Sequence, residues 1–262
     1  MRKHTVLFDM DGTLTEPRQK FDGSLSSSLS KLSYHADIGI VTGSDFDYLL
    51  EQVGPLLDSP TRYCLRLLPC NGTRFCDAPE FPSDKFKIDR EVNMKKEIGS
   101  VKYRFLIQAL IELQKEATGY DIPLTGNFIA TRGSMVNWCP IGRSANDKER
   151  KNFKQFDKKY NFRNQFFMKL RLLLDSNNMQ DVIVKLGGDT SFDIYPAGWD
   201  KTYALRYFQG STVWFVGDRA HSPKGNDYEI FKACEPRSFH TTGPEQTKEV
   251  IEDIIKRIVE EK

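Results

Sequence analysis

Two aspartates two residues apart, Asp9 and Asp11, follow the apolar run Thr5-Val-Leu-Phe8. Carboxylates held at the end of a buried strand can do paired chemistry. One attacks phosphorus, its neighbour moves a proton, and both can face a magnesium ion. Gly12-Thr13 behind the pair permits a tight turn. A second acidic motif, Gly217-Asp218, ends the apolar run Thr212-Val-Trp-Phe-Val216, and Asn226-Asp227 lie just beyond it. Carboxylates at the ends of adjacent parallel strands would repel one another unless a cation neutralised them. All-oxygen ligands with open water positions suit magnesium, so Asp9, Asp11, Asp218 and Asp227 form the expected metal set. In that chemistry Asp9 is the nucleophile and Asp11 the acid and base. A hydroxyl from Thr42 or Ser44 and the ammonium of Lys201 hold the phosphoryl oxygens.

The elements that must position these groups are legible as alternating strands and helices. Thr5–Phe8 and Ile38–Val41 are unbroken apolar runs, as in strands covered on both faces, and a third strand is predicted near Cys64–Leu68. Helices are predicted at Ser24–Leu32, with Leu25, Leu29 and Leu32 at helical spacing, and from Asp45 into Val53. Alternation of this kind makes a doubly wound, mostly parallel sheet, and ligands bind such sheets beyond the carboxyl ends of their strands. Asp9, Asp11, Thr42 and Ser44 all stand there.

The texture changes after about Asp84. Tyr103–Ala117 has an amphipathic helical pattern, and Phe128–Ala130, Met135–Trp138, Val182–Leu186 and Ser191–Tyr195 are strand-like. A long helical stretch, Asp147–Leu174, opens on Asn146 with Glu149 three residues later, a capping arrangement, and is expected to break near Asn161. Strands and helices without strict alternation suggest an α+β module with an antiparallel sheet. Lys201–Tyr207 is expected to start a helix. After it the strand Thr212–Val216 and a closing helix carrying Val250, Ile251, Ile254, Ile255 and Ile258 resume the first pattern. The fold class is therefore α/β: a core from residues 1–84 and 197–262, with a cap, 85–196, inserted between its halves.

Composition narrows the classes. The 262 residues carry 38 Lys+Arg against 36 Asp+Glu, a net charge of +2, which is no bulk nucleic-acid signature. Eighteen Phe and ten Tyr supply large buried surfaces despite a hydrophobic fraction of 39%. Five cysteines, Cys64, Cys70, Cys76, Cys139 and Cys234, include no CxxC pair, so reduced thiols are expected rather than a disulfide framework or a zinc site. The apolar run before Asp9 is too short for an export signal or a membrane span, which with the thiols predicts a cytoplasmic protein.

The acidic motifs resemble those of the haloacid dehalogenase superfamily of phosphotransferases. The resemblance extends to the eukaryotic phosphomannomutases over nearly the whole chain. Its blocks are Asp9-Met-Asp-Gly-Thr-Leu-Thr15, Pro17-Arg-Gln-Lys20, Gly43-Ser-Asp-Phe46, Asn71-Gly72, Pro140-Ile-Gly-Arg-Ser144, Ser191-Phe-Asp193, Gly198-Trp-Asp-Lys201 and Gly225-Asn-Asp-Tyr-Glu-Ile230. The first marks only the superfamily; the Pro-Ile-Gly-Arg-Ser, Ser-Phe-Asp and Gly-Trp-Asp-Lys blocks together mark the mutases. The resemblance implies that Arg132, Arg143 and Arg150 clamp the phosphate that is not reacting, that Ser191 and Asp193 bind sugar hydroxyls, and that Arg18 completes the pocket. It also implies interconversion of mannose 6-phosphate and mannose 1-phosphate through an aspartyl-phosphate. Magnesium, a hexose 1,6-bisphosphate activator, a homodimer joined through the cap and a role in supplying GDP-mannose come with it. A sugar-phosphate phosphatase or a phosphoglucomutase-like enzyme of the same fold is the alternative. A degenerate sugar-phosphate-binding module is the non-enzymatic one, and it has no need of a nucleophile.

The chain also departs from that pattern. The loop Gly217–Asp227 is one residue longer than usual, with Lys224 where a glycine is expected, which bears on the metal site. Pro69-Cys-Asn-Gly72 replaces Pro-Glu-Asn-Gly, Gly187-Gly-Asp-Thr190 replaces Gly-Gly-Gln-Ile, and Thr131 and Gly133 flank Arg132 in place of Phe and Asn.

Overall fold

The structure, a computed structural model, describes residues 2–223 and 225–261. The chain divides into two compact units: Met1–Glu91 together with Gly198–Lys262, and Val92–Ala197.

Among the described residues of the first unit, five strands make a parallel sheet in the order Ser238–His240, Thr212–Gly217, His4–Phe8, Asp37–Val41 and Leu65–Leu68. Successive side chains of a strand face opposite sides of a sheet. Val6 and Phe8 therefore share one apolar layer with Ile38, Ile40, Leu29, Val53, Ile251 and Ile254. That layer joins the sheet to helices Ser26–Ser33, Phe46–Leu57 and Pro244–Glu260. Leu7, Val41, Leu68 and Phe215 share the other layer with Ala204, Phe208, Ile230 and Cys234. This is the expected doubly wound α/β arrangement, with apolar strands buried on both faces.

Several elements differ from the sequence reading. Helix Phe46–Leu57 runs past the expected end at Val53 and takes Pro55 into its last turn. Lys201–Phe208 is a 3-10 segment rather than an α-helix. Asp200 starts it, accepting from the Thr202 N–H at 2.8 Å and from its hydroxyl at 2.6 Å. The strand Ser238–His240 and the hairpin of Arg74–Phe75 with Arg90–Glu91 were not expected. Each is too short to show a periodic pattern. No described helix is long and apolar enough to cross a membrane.

The second unit has an antiparallel sheet in the order Ile129–Thr131, Val136–Trp138, Ser191–Pro196 and Val182–Gly187. Helices Ser100–Ala117, Asp147–Tyr160 and Phe162–Ser176 accompany it. Asn146 and Glu149 form the expected capping box, and Asn161, with φ 52°, is the left-handed residue that separates the last two helices. The core here is aromatic. Trp138 stacks on Phe192 with centroids 4.7 Å apart, and Phe166 meets Trp138 edge-on at 5.8 Å. The Trp138 indole N–H is satisfied by Gln114 Oε1 at 2.8 Å, and the Gln114 amide donates to the Pro140 carbonyl at 3.0 Å. Removing the fully buried Phe166 ring leaves a void among Trp138, Phe162 and Tyr120. Phe166→Ala is expected to lower stability by about 3–5 kcal/mol, read from denaturant unfolding of the whole chain followed by tryptophan fluorescence.

Candidate active site

The register of the parallel sheet sets the geometry. Phe8 pairs with Val216, so Asp9 leaves its strand beside Gly217-Asp218, and the Asp9 N–H closes on the Val216 carbonyl at 2.9 Å. Asp227 comes from the segment before helix Tyr228–Cys234 and is fully buried. One carboxylate oxygen each from Asp9, Asp218 and Asp227 lies within 4.8 Å of the other two. Lys201, also buried, ties the group together: its Nζ donates to Asp9 Oδ1 and, at 2.6 Å, to Asp227 Oδ1. The second Asp227 oxygen accepts from the Arg219 N–H at 3.0 Å.

Two glycines leave the space these carboxylates fill. A Cβ on Gly12, whose φ is +84°, would stand 2.5 Å from Asp218 Oδ2, and one on Gly217 would stand 2.7 Å from Asp227 Oδ2. Asp11 is placed differently. Its Oδ1 accepts from the Arg18 N–H at 2.7 Å, and its carboxylate lies outside the three-carboxylate group. The structure thus gathers three of the four expected metal ligands as side chains and holds the Asp11 side chain apart. Thr42 is buried at the end of Asp37–Val41, and its hydroxyl accepts from the Ser44 N–H at 3.2 Å. Asn71, at φ 63°, donates to the Trp199 carbonyl at 3.4 Å, linking two of the resemblance blocks. His240 was not legible as a site residue: its Nε2 donates to the Asp218 carbonyl at 2.9 Å, and its ring lies 3.8 Å from that of His221. Lys224 lies outside the described residues.

The expected substrate groups of the second unit form their own array. Arg143 donates to Asn137 Oδ1 at 3.0 Å, and Asn137 Nδ2 donates to Asp193 Oδ1 at 2.7 Å. Arg150 donates to the carbonyls of Ala145 at 2.9 Å and Arg143 at 2.8 Å, and to the Thr190 hydroxyl at 2.8 Å. Ser191 Oγ donates to the Gly187 carbonyl at 2.8 Å. Half-buried Arg132 stands in the turn after Ile129–Thr131, where Gly133 has φ +77°; glycine and asparagine both tolerate that region, so the Gly133 departure keeps the turn. Asp189 pairs with Lys154 at 3.0 Å on the surface.

The model of the family described as eukaryotic phosphomannomutase matches residues 25–257. The chain belongs to the eukaryotic phosphomannomutase family. A probable phosphomannomutase of Caenorhabditis elegans is 34% identical over 97% of this chain and 96% of its own length. Phosphomannomutase 1 of Dictyostelium discoideum is 34% identical over 95% of each chain. Among solved structures, the ATP-bound IMP-nucleotidase of Plasmodium falciparum superposes with a TM-score of 0.68 at 12% identity, covering 97% of this chain and 60% of that one. A trehalose-6-phosphate phosphatase related protein gives 0.52 at 16% identity, covering 98% and 100%. At those identities the structures share the fold alone.

Family membership leaves the electrostatics to be read from this chain. Burial, and then the neighbouring Asp227 charge, raise Asp9 from an ordinary carboxylate to about 8, against the opposing pull of Lys201. Burial also raises Asp218, with Asp227 adding to the effect. Burial works against the Lys201 charge, yet Asp227 and Asp9 hold its ammonium above the ordinary lysine range. Asp218 Oδ1 is buried with no hydrogen-bond donor among the described residues. Three converging carboxylates, one ammonium and an unpartnered oxygen suit a hard divalent cation, which would favour the ionised form of Asp9 at neutral pH.

The sign of the pH effect follows. Without a cation the folded protein holds a proton on Asp9 that the unfolded chain releases near 3.8, so this group's contribution to stability is lost as pH rises toward about 8. Titrating magnesium into cation-free protein at pH 7 is expected to release on the order of one proton per ion. Calorimetry in two buffers of different ionisation enthalpy reads this, and Asp9→Asn should abolish it.

Proposed function

We propose that this protein is a magnesium-dependent phosphomannomutase that interconverts mannose 6-phosphate and mannose 1-phosphate. The observation that carries the reading is the extent of the family match, which spans residues 25–257 and therefore draws on both units. The first unit then carries the chemistry and the second recognises the substrate, as a capped core would divide them.

In the first half-reaction a carboxylate oxygen of Asp9 forms a bond to phosphorus and the bond from phosphorus to the sugar oxygen breaks. Asp11 gives its proton to that leaving oxygen; in the reverse direction it removes one from the attacking hydroxyl. Burial raises Asp11 above an ordinary carboxylate while the Arg18 N–H opposes this, so Asp11 can carry a proton nearer neutral pH. Its separation from the three-carboxylate group supports the division of labour: Asp9 accepts the phosphoryl group and Asp11 moves protons. Lys201 holds a phosphoryl oxygen, as do Thr42 and Ser44 at the neighbouring strand end. Asp9, Asp218 and Asp227 would hold magnesium, whose charge would neutralise that gathered on the phosphoryl oxygens.

Arg132, Arg143 and Arg150 bind the phosphate that is not being transferred, Ser191 and Asp193 bind sugar hydroxyls, and Arg18 completes the pocket. A hexose 1,6-bisphosphate is the intermediate and, added in trace, the activator. We place the enzyme in the cytoplasm, feeding GDP-mannose synthesis, as a homodimer joined through the second unit. Exposed Ile111, Met168 and Leu172 on that unit's helices support the dimer, and light scattering at micromolar concentration should give twice the chain mass.

Incubating the protein with magnesium, mannose 1-phosphate and catalytic hexose 1,6-bisphosphate is expected to yield mannose 6-phosphate. Release of inorganic phosphate alone would mark a phosphatase instead. Asp9→Asn should reduce turnover at least about 10^3-fold, because no other carboxylate in the cluster occupies its place. A variant that kept activity would exclude the covalent route.

A further inference from the structure

Asn137 lies inside the apolar run Met135-Val-Asn-Trp138 and is 2% exposed, an expensive place for an amide. The register places it directly opposite Asp193 on the adjacent antiparallel strand. Its Nδ2 donates to Asp193 Oδ1 at 2.7 Å and to the Phe192 carbonyl at 3.3 Å, while its Oδ1 accepts from Arg143 Nη1 at 3.0 Å. A guanidinium only donates and an ionised carboxylate only accepts, so one amide orientation satisfies all three contacts and a flipped amide satisfies none. Asp193 is confined from its other side as well, since a Cβ on Gly187 would stand 2.6 Å from its Oδ2. Lys185 stands opposite Asp193 on the outer neighbouring strand.

We infer that Asn137 is a positioning residue that joins Arg143 to Asp193 through a neutral amide, fixing the phosphate-binding guanidinium and the sugar-binding carboxylate relative to each other. The inference rests on the phosphomannomutase reading. A direct Arg143–Asp193 ion pair would satisfy each charge with the other and compete with substrate for both. The amide orients both groups while adding no charge. It therefore couples the recognition of phosphate to the recognition of hydroxyl within one rigid strand pair, Val136–Trp138 with Ser191–Pro196.

Asn137→Asp keeps the shape and changes the donor. As a carboxylate, residue 137 repels Asp193 and pairs with Arg143; as a neutral acid, its O–H donates to Asp193 and its carbonyl accepts from Arg143, which restores the native pattern. Mannose 1-phosphate binding in the presence of magnesium is measured by calorimetry for both proteins at pH 8 and pH 5.5. Each affinity is taken as a ratio to the unsubstituted protein at the same pH, so that ionisation of the ligand phosphate and of the magnesium site cancels. The expected result is a loss of about 10-fold or more at pH 8 that recovers at pH 5.5. Equal affinities at pH 8, or a loss that low pH does not recover, would overturn the role of Asn137. If the unsubstituted protein itself binds no hexose monophosphate, the substrate reading fails, and this inference with it. Thermal unfolding checks the fold of the variant. Should it not fold, Asn137→Ser, too short to span both partners, is expected to lose affinity to a similar degree, and unchanged binding would refute the role.

Discussion

Two buried carboxylates and a partly buried third, gathered about one ammonium, are the constraint to which the first unit answers. Like charges at this separation repel strongly, and burial further penalises the charged forms of Asp9 and Asp218. Lys201 offsets part of this by bridging Asp9 and Asp227, and the Arg219 guanidinium stands 3.8 Å from Asp218 Oδ2, but two positive charges do not balance three negative ones. The remainder must come from protons or from a cation, and the upward displacement of Asp9 and Asp218 is the proton answer. The parallel sheet makes such an assembly feasible. Strands His4–Phe8 and Thr212–Gly217 are neighbours in space and some two hundred residues apart in sequence, and their paired exits aim both chain halves at one point. Apolar layers on both faces hold those exits rigid, so the repulsion is borne by the whole unit rather than relieved by local movement.

The second unit also has direct ion pairs, Arg163 with Asp157 at 2.7 Å among them, but it treats two of its arginines differently. Around Arg143 and Arg150 it places neutral groups: an amide between Arg143 and Asp193, backbone carbonyls and a hydroxyl against Arg150. The first pattern suits a reaction in which charge develops and must be matched; the second suits recognition, where groups should be oriented yet remain able to trade partners with a ligand. Thr190 shows how a departure from the family pattern fits in. Where the family pattern has isoleucine, this chain has a hydroxyl that accepts from Arg150 at 2.8 Å, which ties the altered loop to the arginine.

What the sequence revealed and concealed follows from how each feature is encoded. Asp9 and Asp218 were legible because apolar runs end at them, and a run buried on both faces can only be a central strand. The break at Asn161 was legible because asparagine tolerates the left-handed region. Lys201 was visible only as a lysine after Gly-Trp-Asp, since a 3-10 segment leaves no clear period. Asn137 was invisible for a different reason. Alternation along Met135–Trp138 predicts which faces are buried, but it does not tell a buried amide that bridges two charges from one that merely ends a strand. The separation of Asp11 from the cluster was equally hidden, because it depends on a backbone N–H, that of Arg18, which is present whatever the residue type.

The Gly217–Asp227 loop carries two of the clustered carboxylates at its ends. Its two ends are held independently of its length. At the start, the Asp218 carbonyl accepts from His240, and its side chain fills the space that Gly12 leaves. At the finish, Asp227 is bound to Lys201 and to the Arg219 N–H, with Gly217 leaving room for its carboxylate. Between them the His221 ring rests on His240, and the Gly225 N–H closes on the Ser222 carbonyl at 2.7 Å. The extra residue that the family resemblance implies falls between these two anchored ends. Loop-closure entropy grows only slowly with length, so the insertion costs little so long as those anchors remain. The carboxylate geometry is set by the strand register and the lysine, and the loop is free to diverge around it.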